Sequence, residues 1–291
     1  MSIAANVPQA VVRRRRVVNA IACSALGLAV VIALIPLAAV LAYTINKGAD
    51  RISWQFLYHS MFGVGPLDPH GGAYHAILGT LEQVGLASLM AVPLGLLVAI
   101  YIVEYGQGRL RNAVRFLIDV MTGIPSIVAG LFIFSFWVIG LNQGFSGFAA
   151  ALSLAVLMLP VVVRSAEEML KLVPNDLREA SYALGVPRWR TITSVVLPTA
   201  ASGITTGVML AVARVTGETA PLLLTAFGFD AIRRSPFEGP QSGLPLYVFA
   251  QAGSAFDVAV QRAWAGALTL IVLVLALTVI ARLVAARTKA T

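Results

Sequence analysis

Residues 164–198 read RSAEEMLKLVPNDLREASYALGVPRWRTITSVVLP and form a polar stretch inside an otherwise apolar chain. Apolar segments long enough to cross a bilayer lie on both sides, so this stretch must lie in water or against another protein. Pro174 suits the first turn of a helix, because its missing N–H would be unpaired there, and Gly185 suits a helix end. Pro187 opens a second helix, and Pro198 marks the entry to the next apolar segment. The stretch is therefore predicted to form two short helices around a turn.

The composition of the chain excludes an ordinary water-soluble domain. Of its 291 residues, 58% are hydrophobic and only 12% are charged, and the mean hydropathy is +0.85. The net charge of +8 would suggest nucleic acid binding in a soluble protein. Here the basic residues flank apolar segments, which indicates that they orient the chain in the membrane. We therefore expect no nucleic acid partner. The single cysteine, Cys23, excludes an intramolecular disulfide.

Six apolar segments are each near the roughly 20 residues that the core of a lipid bilayer requires. The sequence therefore predicts an all-α integral membrane protein with transmembrane helices at Val18–Tyr43, Ile77–Val103, Phe116–Leu141, Phe148–Val163, Thr199–Leu224 and Ala263–Ala285. Around them it predicts a basic tail (1–17), a first helix (18–43), an outer loop (44–75), a core with five helices and the polar loop 164–198 (76–285), and a second tail (286–291). The segment Met1–Val12 is expected to be disordered.

The distribution of basic residues predicts the orientation of these helices. If the N-terminus is cytoplasmic, the inner segments hold fifteen Lys and Arg residues and the outer segments hold five. Because Lys and Arg gather on the cytoplasmic side of a membrane, both termini and the loop 164–198 are predicted to be cytoplasmic.

Two outer segments, 46–75 and 228–261, are long and rich in Gly and Pro. They are either sites for a soluble partner or plain connectors. The first contains three histidines with irregular spacing and no Cys partners, and we expect surface histidines rather than a metal site. These are His59, His70 and His75.

Ionisable residues at bilayer depth are costly and usually functional. In the predicted fifth helix, Arg214 and Glu218 are four residues apart and share one face. The Arg fork suits a tetrahedral oxyanion, which would replace Glu218 as its partner. A static ion pair that fixes helix packing is the alternative. Glu82, near the start of the second helix, either faces the bundle near its outer end or lies in the lipid headgroup layer, and we expect the latter.

The predicted third helix is interrupted by the sequence TGIPS at 122–126. Gly123 and Pro125 disturb a helix, since Pro removes a backbone donor. The hydroxyls of Thr122 and Ser126 would satisfy the freed carbonyl or face a pore. A kink that serves packing alone is the alternative.

Several residues of the polar loop resemble the EAA loop of permease subunits of bacterial ABC importers. They are Glu179-Ala180-Ser181, Gly185 and Leu197-Pro198, with Ser181 where the family usually has Ala. The resemblance implies a type I importer permease fold and a helix that docks in a groove of the ATP-hydrolysing subunit. The implied contact residues are Glu179, Ala180, Ser181, Gly185, Arg178 and Leu184. The alternative is an amphipathic loop on the membrane surface with no partner.

Within that family, the sequences GETAPL (217–222), IPSIVAG (124–130) and the segment 71–80 resemble the phosphate-specific permeases, and the PstA-type subunit more than the PstC-type. The resemblance spans about residues 71–285. It implies import of inorganic phosphate across the bacterial cytoplasmic membrane. The substrate path is expected at Arg214, Glu218, Thr219, Ser126 and Thr122.

The same resemblance implies the partners of the chain. They are a cytoplasmic PstB-type ATPase dimer, a PstC-type second permease, an extracytoplasmic PstS-type phosphate-binding protein and the lipid bilayer. The sequence has no G-x-x-x-x-G-K-[ST] loop, so we expect no catalytic residue, metal or cofactor in this chain, with ATP and Mg²⁺ on the ATPase. A permease for sulfate or molybdate, or an ion-gradient-driven carrier working alone, are the alternatives.

Overall fold

The computed structural model describes the backbone of residues 9–287, and that part of the chain is helical with no β-strand. The helices are α1 (Gln9–Ala49), α2 (Trp54–Tyr58), α3 (Tyr74–Ile100), α4 (Gly108–Thr122), α5 (Ser126–Ile133), α6 (Gly147–Lys171), α7 (Asn175–Ala183), α8 (Arg188–Thr191), α9 (Leu197–Thr216), α10 (Ala220–Thr225), α11 (Leu244–Ala252) and α12 (Asp257–Arg287). Three π-helical segments extend α3 (Tyr101–Tyr105), α5 (Phe134–Gly140) and α8 (Ile192–Val196).

Small residues set the centre of the bundle, where α3 packs along α6 and α6 packs on α9. Ala87, Ala91 and Ala150 are almost fully buried there. A Cβ on Gly95 would lie 2.8 Å from a methyl group of Val162, so α3 and α6 touch nearly backbone to backbone. Such close approach through small residues is how helices associate inside membranes.

Five helical segments are long and apolar enough to cross a membrane, and the pair α4–α5 makes a sixth if it counts as one crossing. The predicted third helix is therefore not a continuous helix with a kink. Its two halves meet at 105° around residues 123–125. Gly123 ends α4, and Pro125 cannot continue it because the ring removes a donor and clashes with the preceding turn.

Other predicted boundaries also differ from the structure. α6 continues past the predicted end at Val163 to Lys171. The second helix of the polar loop is the beginning of the next span, because α8, its π-helical extension and α9 form one helical segment, Arg188–Thr216. Pro198 lies inside that segment rather than at its entry, since the wider π-helical turn before it accommodates a proline.

The terminal helices are longer than predicted as well. α1 has 41 residues and includes residues 9–12, which were expected to be disordered. α12 reaches Arg287, beyond the predicted end at Ala285. Residues 1–8 and 288–291, the outer parts of the two predicted tails, lie outside the described residues.

Connecting segments gather at the two ends of the bundle. At one end, the Ser146 N–H donates to the Thr225 carbonyl and the Phe148 N–H to the Pro236 carbonyl, over 3.1 and 2.7 Å. At the other end, Arg178 of α7 binds Glu104 at the end of the α3 segment. The polar loop and the two long outer segments thus lie at opposite ends of the helices. Which end is cytoplasmic stays a prediction from the basic residues.

Candidate functional site

The helix α7 presents four of the six predicted coupling residues on an exposed surface. Glu179, Ala180, Leu184 and Gly185 are all exposed, and Leu184 is 84% exposed. Gly185 has φ of +76°, which a glycine adopts without strain. Its N–H donates to the Tyr182 carbonyl, and the following N–H donates to the Ser181 carbonyl, so α7 ends in a Schellman motif.

The other two predicted coupling residues point into the chain itself. The Ser181 hydroxyl is buried and lies 2.8 Å from the hydroxyl of Thr191. The side chain of Arg178 is 12% exposed and binds Glu104 at 2.8 Å. These residues hold α7 to the bundle.

Apolar side chains surround that exposed face. Leu172, Tyr182, Leu184 and Trp189 are all substantially exposed at a polar end of the protein. A cluster of large apolar side chains that is open to solvent and rimmed by charges is typical of a protein contact surface.

A buried carboxylate, which the sequence reading missed, organises the end of α6. Glu167 has a fully buried side chain and lies 2.5 Å from Arg115, 3.2 Å from Arg164 and 2.9 Å from Lys171. Arg164 also contacts Asp119 of α4. Three cations around one carboxylate offset its desolvation and fix α4 against α6. The spacing of three and four residues from Glu167 to its helical neighbours is the signal that would have indicated this cluster.

Arg214 lies in the last turn of α9, and the helix ends before Glu218 is reached. The predicted continuous helical face is therefore wrong, because Gly217 ends the helix. The Arg214 Nε lies 3.9 Å from the Glu218 carboxylate, and the two side chains are 62% and 19% exposed. This is a long, open pair rather than a tight buried one, so it holds helix packing weakly. Arg214 lies about 35 Å along the helix from Arg190, at the end far from α7.

One face of α9 leads to Arg214 and is exposed along its length. Its residues recur every three or four positions, which places them in one row along the helix. This exposed row consists of Thr199, Ser202, Thr206, Leu210, Arg214 and Gly217. The row is mostly small or polar, although it belongs to a helix suited to a membrane. Such a face suits a water-filled path or a second helix better than lipid.

Two helix breaks lie here, one between α4 and α5 and one between α9 and α10. At the first, Thr122 does not satisfy the backbone carbonyl that Pro125 frees, contrary to the prediction. The Thr122 hydroxyl donates to the Ile118 carbonyl at 2.9 Å, within α4. The carbonyl of Met121, which Pro125 leaves without its usual donor, accepts from the N–H of Ile124. Ser126 begins α5, half exposed.

The two breaks are brought together by α5 and α10, each of which begins just after one of them. A Cβ on Gly130 would lie 2.6 Å from the Pro221 Cα, so these short helices touch backbone to backbone. Thr219 precedes α10 and is half exposed. The predicted path residues thus lie along two interrupted helices that contact each other at Gly130 and Pro221.

Glu82 faces the bundle, which is the alternative to a free position in the lipid headgroup layer. Its carboxylate accepts a hydrogen bond from the Gln241 amide, whose oxygen in turn accepts from Gln83 at 3.1 Å. The Thr80 hydroxyl accepts from the Leu244 N–H at 2.7 Å. The outer segment between α10 and α11 is thus fastened to the first turns of α3.

The three histidines divide into two classes. His59 and His70 are exposed, as predicted for surface residues. His75 is buried against the ring of Tyr247, 5.7 Å away centre to centre, so its prediction as a surface residue was wrong. It lies in the first turn of α3. In the part of the chain that the structure describes, no three His, Cys, Asp or Glu side chains gather as a metal site.

Comparisons with known proteins add to this geometry. The model of a family described as "Binding-protein-dependent transport system inner membrane component" matches residues 91–290. The chain is 48% identical to "Phosphate transport system permease protein PstA 1" of Mycobacterium tuberculosis, covering 90% of this chain and 86% of the relative. It is 38% identical to "Phosphate transport system permease protein PstA" of Pasteurella multocida, covering 92% and 95%.

Solved structures of transporters share the fold. A bacterial alginate ABC transporter in complex with alginate pentasaccharide-bound periplasmic protein matches with a TM-score of 0.63 at 16% identity, covering 96% of this chain and 97% of the other. The MetNI methionine ABC transporter in an inward-facing conformation matches with a TM-score of 0.54 at 20% identity, covering 75% and 93%. At these identities the likeness concerns the fold alone.

Proposed function

The chain belongs to the family of binding-protein-dependent transport system inner membrane components, and from this membership we propose that it is the permease subunit of a phosphate ABC importer. It has the fold of a type I importer permease and is a multi-pass protein of the inner membrane. Its relatives that are named phosphate permeases cover nearly the whole chain. As a permease it is a transport subunit rather than an enzyme.

The proposed transporter contains four kinds of subunit. This chain is the PstA-type permease and pairs with a PstC-type permease in the membrane. A PstB-type ATPase dimer binds at the cytoplasmic side, and a PstS-type protein delivers phosphate at the outer side. ATP and Mg²⁺ are bound by the ATPase, and this chain supplies the surface that receives its movement.

The exposed face of α7 is the observation that supports the proposed role of this chain in receiving movement from the ATPase. Glu179, Ala180 and Leu184 form an uncovered surface on a short helix whose opposite side is fixed to the bundle by Arg178 and Ser181. A helix held rigidly on one side and uncovered on the other is suited to receive force. Closure of the ATPase pair then rocks the attached helices as rigid bodies.

Phosphate crosses along the exposed row of α9 in this proposal, with Arg214 as its cationic residue. The guanidinium lowers the cost of bringing an anion into a low-dielectric region and offers two parallel N–H donors to two oxygens. The pair with Glu218 is long, so an anion replaces it at little cost. Conduction also requires weak binding, because a site that binds tightly retains its ion.

Replacement of Arg214 tests the path. In the transporter reconstituted from all four kinds of subunit, Arg214→Ala is expected to lower the initial rate of phosphate uptake about 10- to 100-fold, which corresponds to the loss of hydrogen bonds to a charged group. The uptake rate of Arg214→Lys is expected to lie between those of the wild type and Arg214→Ala, since Lys keeps the charge and lacks the two parallel donors of Arg. Arg234→Ala, which removes an exposed cation of the outer segment, serves as the control.

The assembly of the Arg214→Ala variant shows whether Arg214 acts in transport or only in maintaining the structure. Arg214→Ala should co-purify with its partners and should retain ATP hydrolysis that responds to the binding protein. Uptake by Arg214→Ala at the rate of the Arg234→Ala control would refute the role of Arg214 in the path.

A further inference from the structure

Glu104 is a buried carboxylate at the end of the α3 segment that lies beside α7, and it is bound by Arg178 of α7. Its side chain is 4% exposed, and that of Arg178 is 12% exposed. The Nε and Nη2 atoms of Arg178 both donate to the same Glu104 oxygen, over 3.1 and 2.8 Å. This pair joins two elements that lie 74 residues apart in the sequence.

The same guanidinium also caps the end of α6. Arg178 donates to the carbonyls of Leu170 and Val173, over 2.9 and 2.6 Å. The last carbonyls of a helix have no partner within it, and a cation there also interacts favourably with the helix dipole. Arg178 therefore ties α7 to α3 and α6 at one point.

The other side of the polar loop is fastened to the same place. Arg188, the first residue of α8, donates to the backbone carbonyl of Glu104 and lies over the ring of Tyr105, 5.0 Å from its centre. α8 continues into α9, the helix whose last turn carries Arg214. The short segment around Glu104 thus contacts both flanks of the loop.

Stability alone does not account for such a pair. Replacing a buried ion pair by apolar residues of similar volume is often neutral or stabilising. We therefore expect the pair to fix the position of α7 relative to α3 rather than to add stability. Glu104 also lies in a π-helical segment, Tyr101–Tyr105, and π-helical turns are frequent at functional positions. Both features indicate that the position of Glu104 relative to α7 matters.

We propose that Glu104 is the positioning residue that makes α7, α3 and α6 move as one unit when the ATPase pushes on α7. This inference rests on the proposed function, because it assigns the route by which movement passes from the ATPase into the membrane helices. Arg178 acts in this route from inside the chain, through Glu104, rather than by touching the ATPase. Without the carboxylate, α7 is held by the carbonyls of α6 and loses its connection to α3.

A distance measurement tests the rigid unit without any need for substrate. In a Cys23→Ser background, spin labels are placed at Gln107, just after the α3 segment, and at Leu177 on α7, both exposed. The full transporter is compared without nucleotide and with ATP trapped in the closed ATPase. The wild-type distance is expected to stay the same in both states, whereas Glu104→Gln is expected to shift or broaden it on ATP trapping.

The control for this measurement is Glu168→Gln. It removes a carboxylate at the same end of the molecule, which pairs with Lys171 and does not reach α7. This variant should behave as the wild type. A distance that changes in the wild type, or one that Glu104→Gln leaves unchanged, would overturn the proposal.

A second measurement compares transport with ATP consumption. Glu104→Gln is expected to lower the phosphate transported per ATP hydrolysed by about fivefold or more, the lower end of typical coupling between sites. Glu104→Asp, which keeps the charge, should restore part of the ratio. Equal losses of uptake and hydrolysis would indicate a merely structural role and overturn the proposal. Should Glu104→Gln not assemble, Arg178→Lys takes its place in both measurements.

The two measurements also separate this inference from the proposed function. A wild-type transporter that hydrolyses ATP but takes up no phosphate would contradict the proposed substrate. The spin-label distances would still decide the role of Glu104, because they require ATP and the assembled subunits alone.

Discussion

Arg262 illustrates how much of this fold is decided by single buried polar side chains. It is 1% exposed and donates to the carbonyls of Asp68, His70 and Pro66 and to the side-chain oxygen of Gln251. The guanidinium thereby replaces water for a Gly- and Pro-rich segment that has few backbone partners of its own. Arg262 thus fixes the outer segment 46–75 on α12.

Replacement of Arg262 by Met tests this role. Met fills a similar volume without donors, so three carbonyls lose their partner, and the free energy of unfolding is expected to fall by about 3 kcal/mol. Thermal unfolding in detergent measures the loss, with Arg234→Met at an exposed position as the control. Equal melting temperatures for the two variants would contradict this account of the outer segment.

At the residue scale, the sequence predicts local roles and misses distant pairs. Gly185 ends α7 as predicted, because a residue with positive φ after a helix is a local requirement. The burial of Arg178 could not be predicted, since its partner Glu104 lies 74 residues earlier. Likewise, the basic residues around Glu167 were counted for orientation, although the fold also uses them to bind a carboxylate.

At the scale of elements, the Gly and Pro residues indicate where the helices break but not how the pieces are arranged. The interruption at Gly123 and Pro125 was predicted, whereas the bend of 105° depends on where α5 packs. α5 is positioned by α10, which contacts it at Gly130 and Pro221. Two short helices that lack a long span of their own thus stabilise each other.

Substitution of Gly130 by Ala tests this contact. The added Cβ would lie 2.6 Å from the Pro221 Cα, a backbone atom that cannot rotate away, and overpacking of this kind costs about 1–3 kcal/mol. We expect a lower melting temperature and slower uptake. Gly85→Ala is the matched control, because no atom lies within 4 Å of its added Cβ and the change favours a helix. The same melting temperature for both variants would contradict the contact.

The exposed face of α7 gives a prediction at the same scale. Glu179→Lys reverses a charge on that face, and it is expected to uncouple ATP hydrolysis from phosphate uptake while the chain itself stays folded. Measured uptake per ATP should fall, because the reversed charge disrupts docking with the ATPase. The matched control is Glu238→Lys, the same change on an exposed residue of the outer segment. If Glu179→Lys and Glu238→Lys transport alike, α7 is not the docking helix.

At the scale of the whole molecule, hydropathy alone predicts the architecture well. The all-α class is confirmed, and the helices of the described residues allow five crossings, or six if the bent pair α4–α5 counts as one. The row of exposed residues along α9 was not predicted, because Thr and Ser count as ordinary members of an apolar segment until the neighbours of the helix are known. The sequence contains the periodicity of this row, and the fold decides that it stays uncovered.

The two ends of the molecule then have separate tasks. One end gathers the outer segments, fastened by Arg262 and Gln241, and the other carries α7 on its connection to Glu104. α9 runs between them and links the end proposed to receive force to the residue proposed for the anion. An importer driven by a separate ATPase requires such a connection, whereas a carrier working alone does not.

The most direct test of this account is phosphate uptake by proteoliposomes that contain this chain, the second permease and the ATPase. Initial rates of labelled phosphate uptake are measured with and without ATP and the binding protein, in the presence of excess unlabelled phosphate, sulfate or molybdate. The account predicts uptake that requires both ATP and the binding protein and is reduced by phosphate alone among the three anions. Uptake that follows an ion gradient without ATP, or that sulfate or molybdate reduces as strongly as phosphate does, would contradict it.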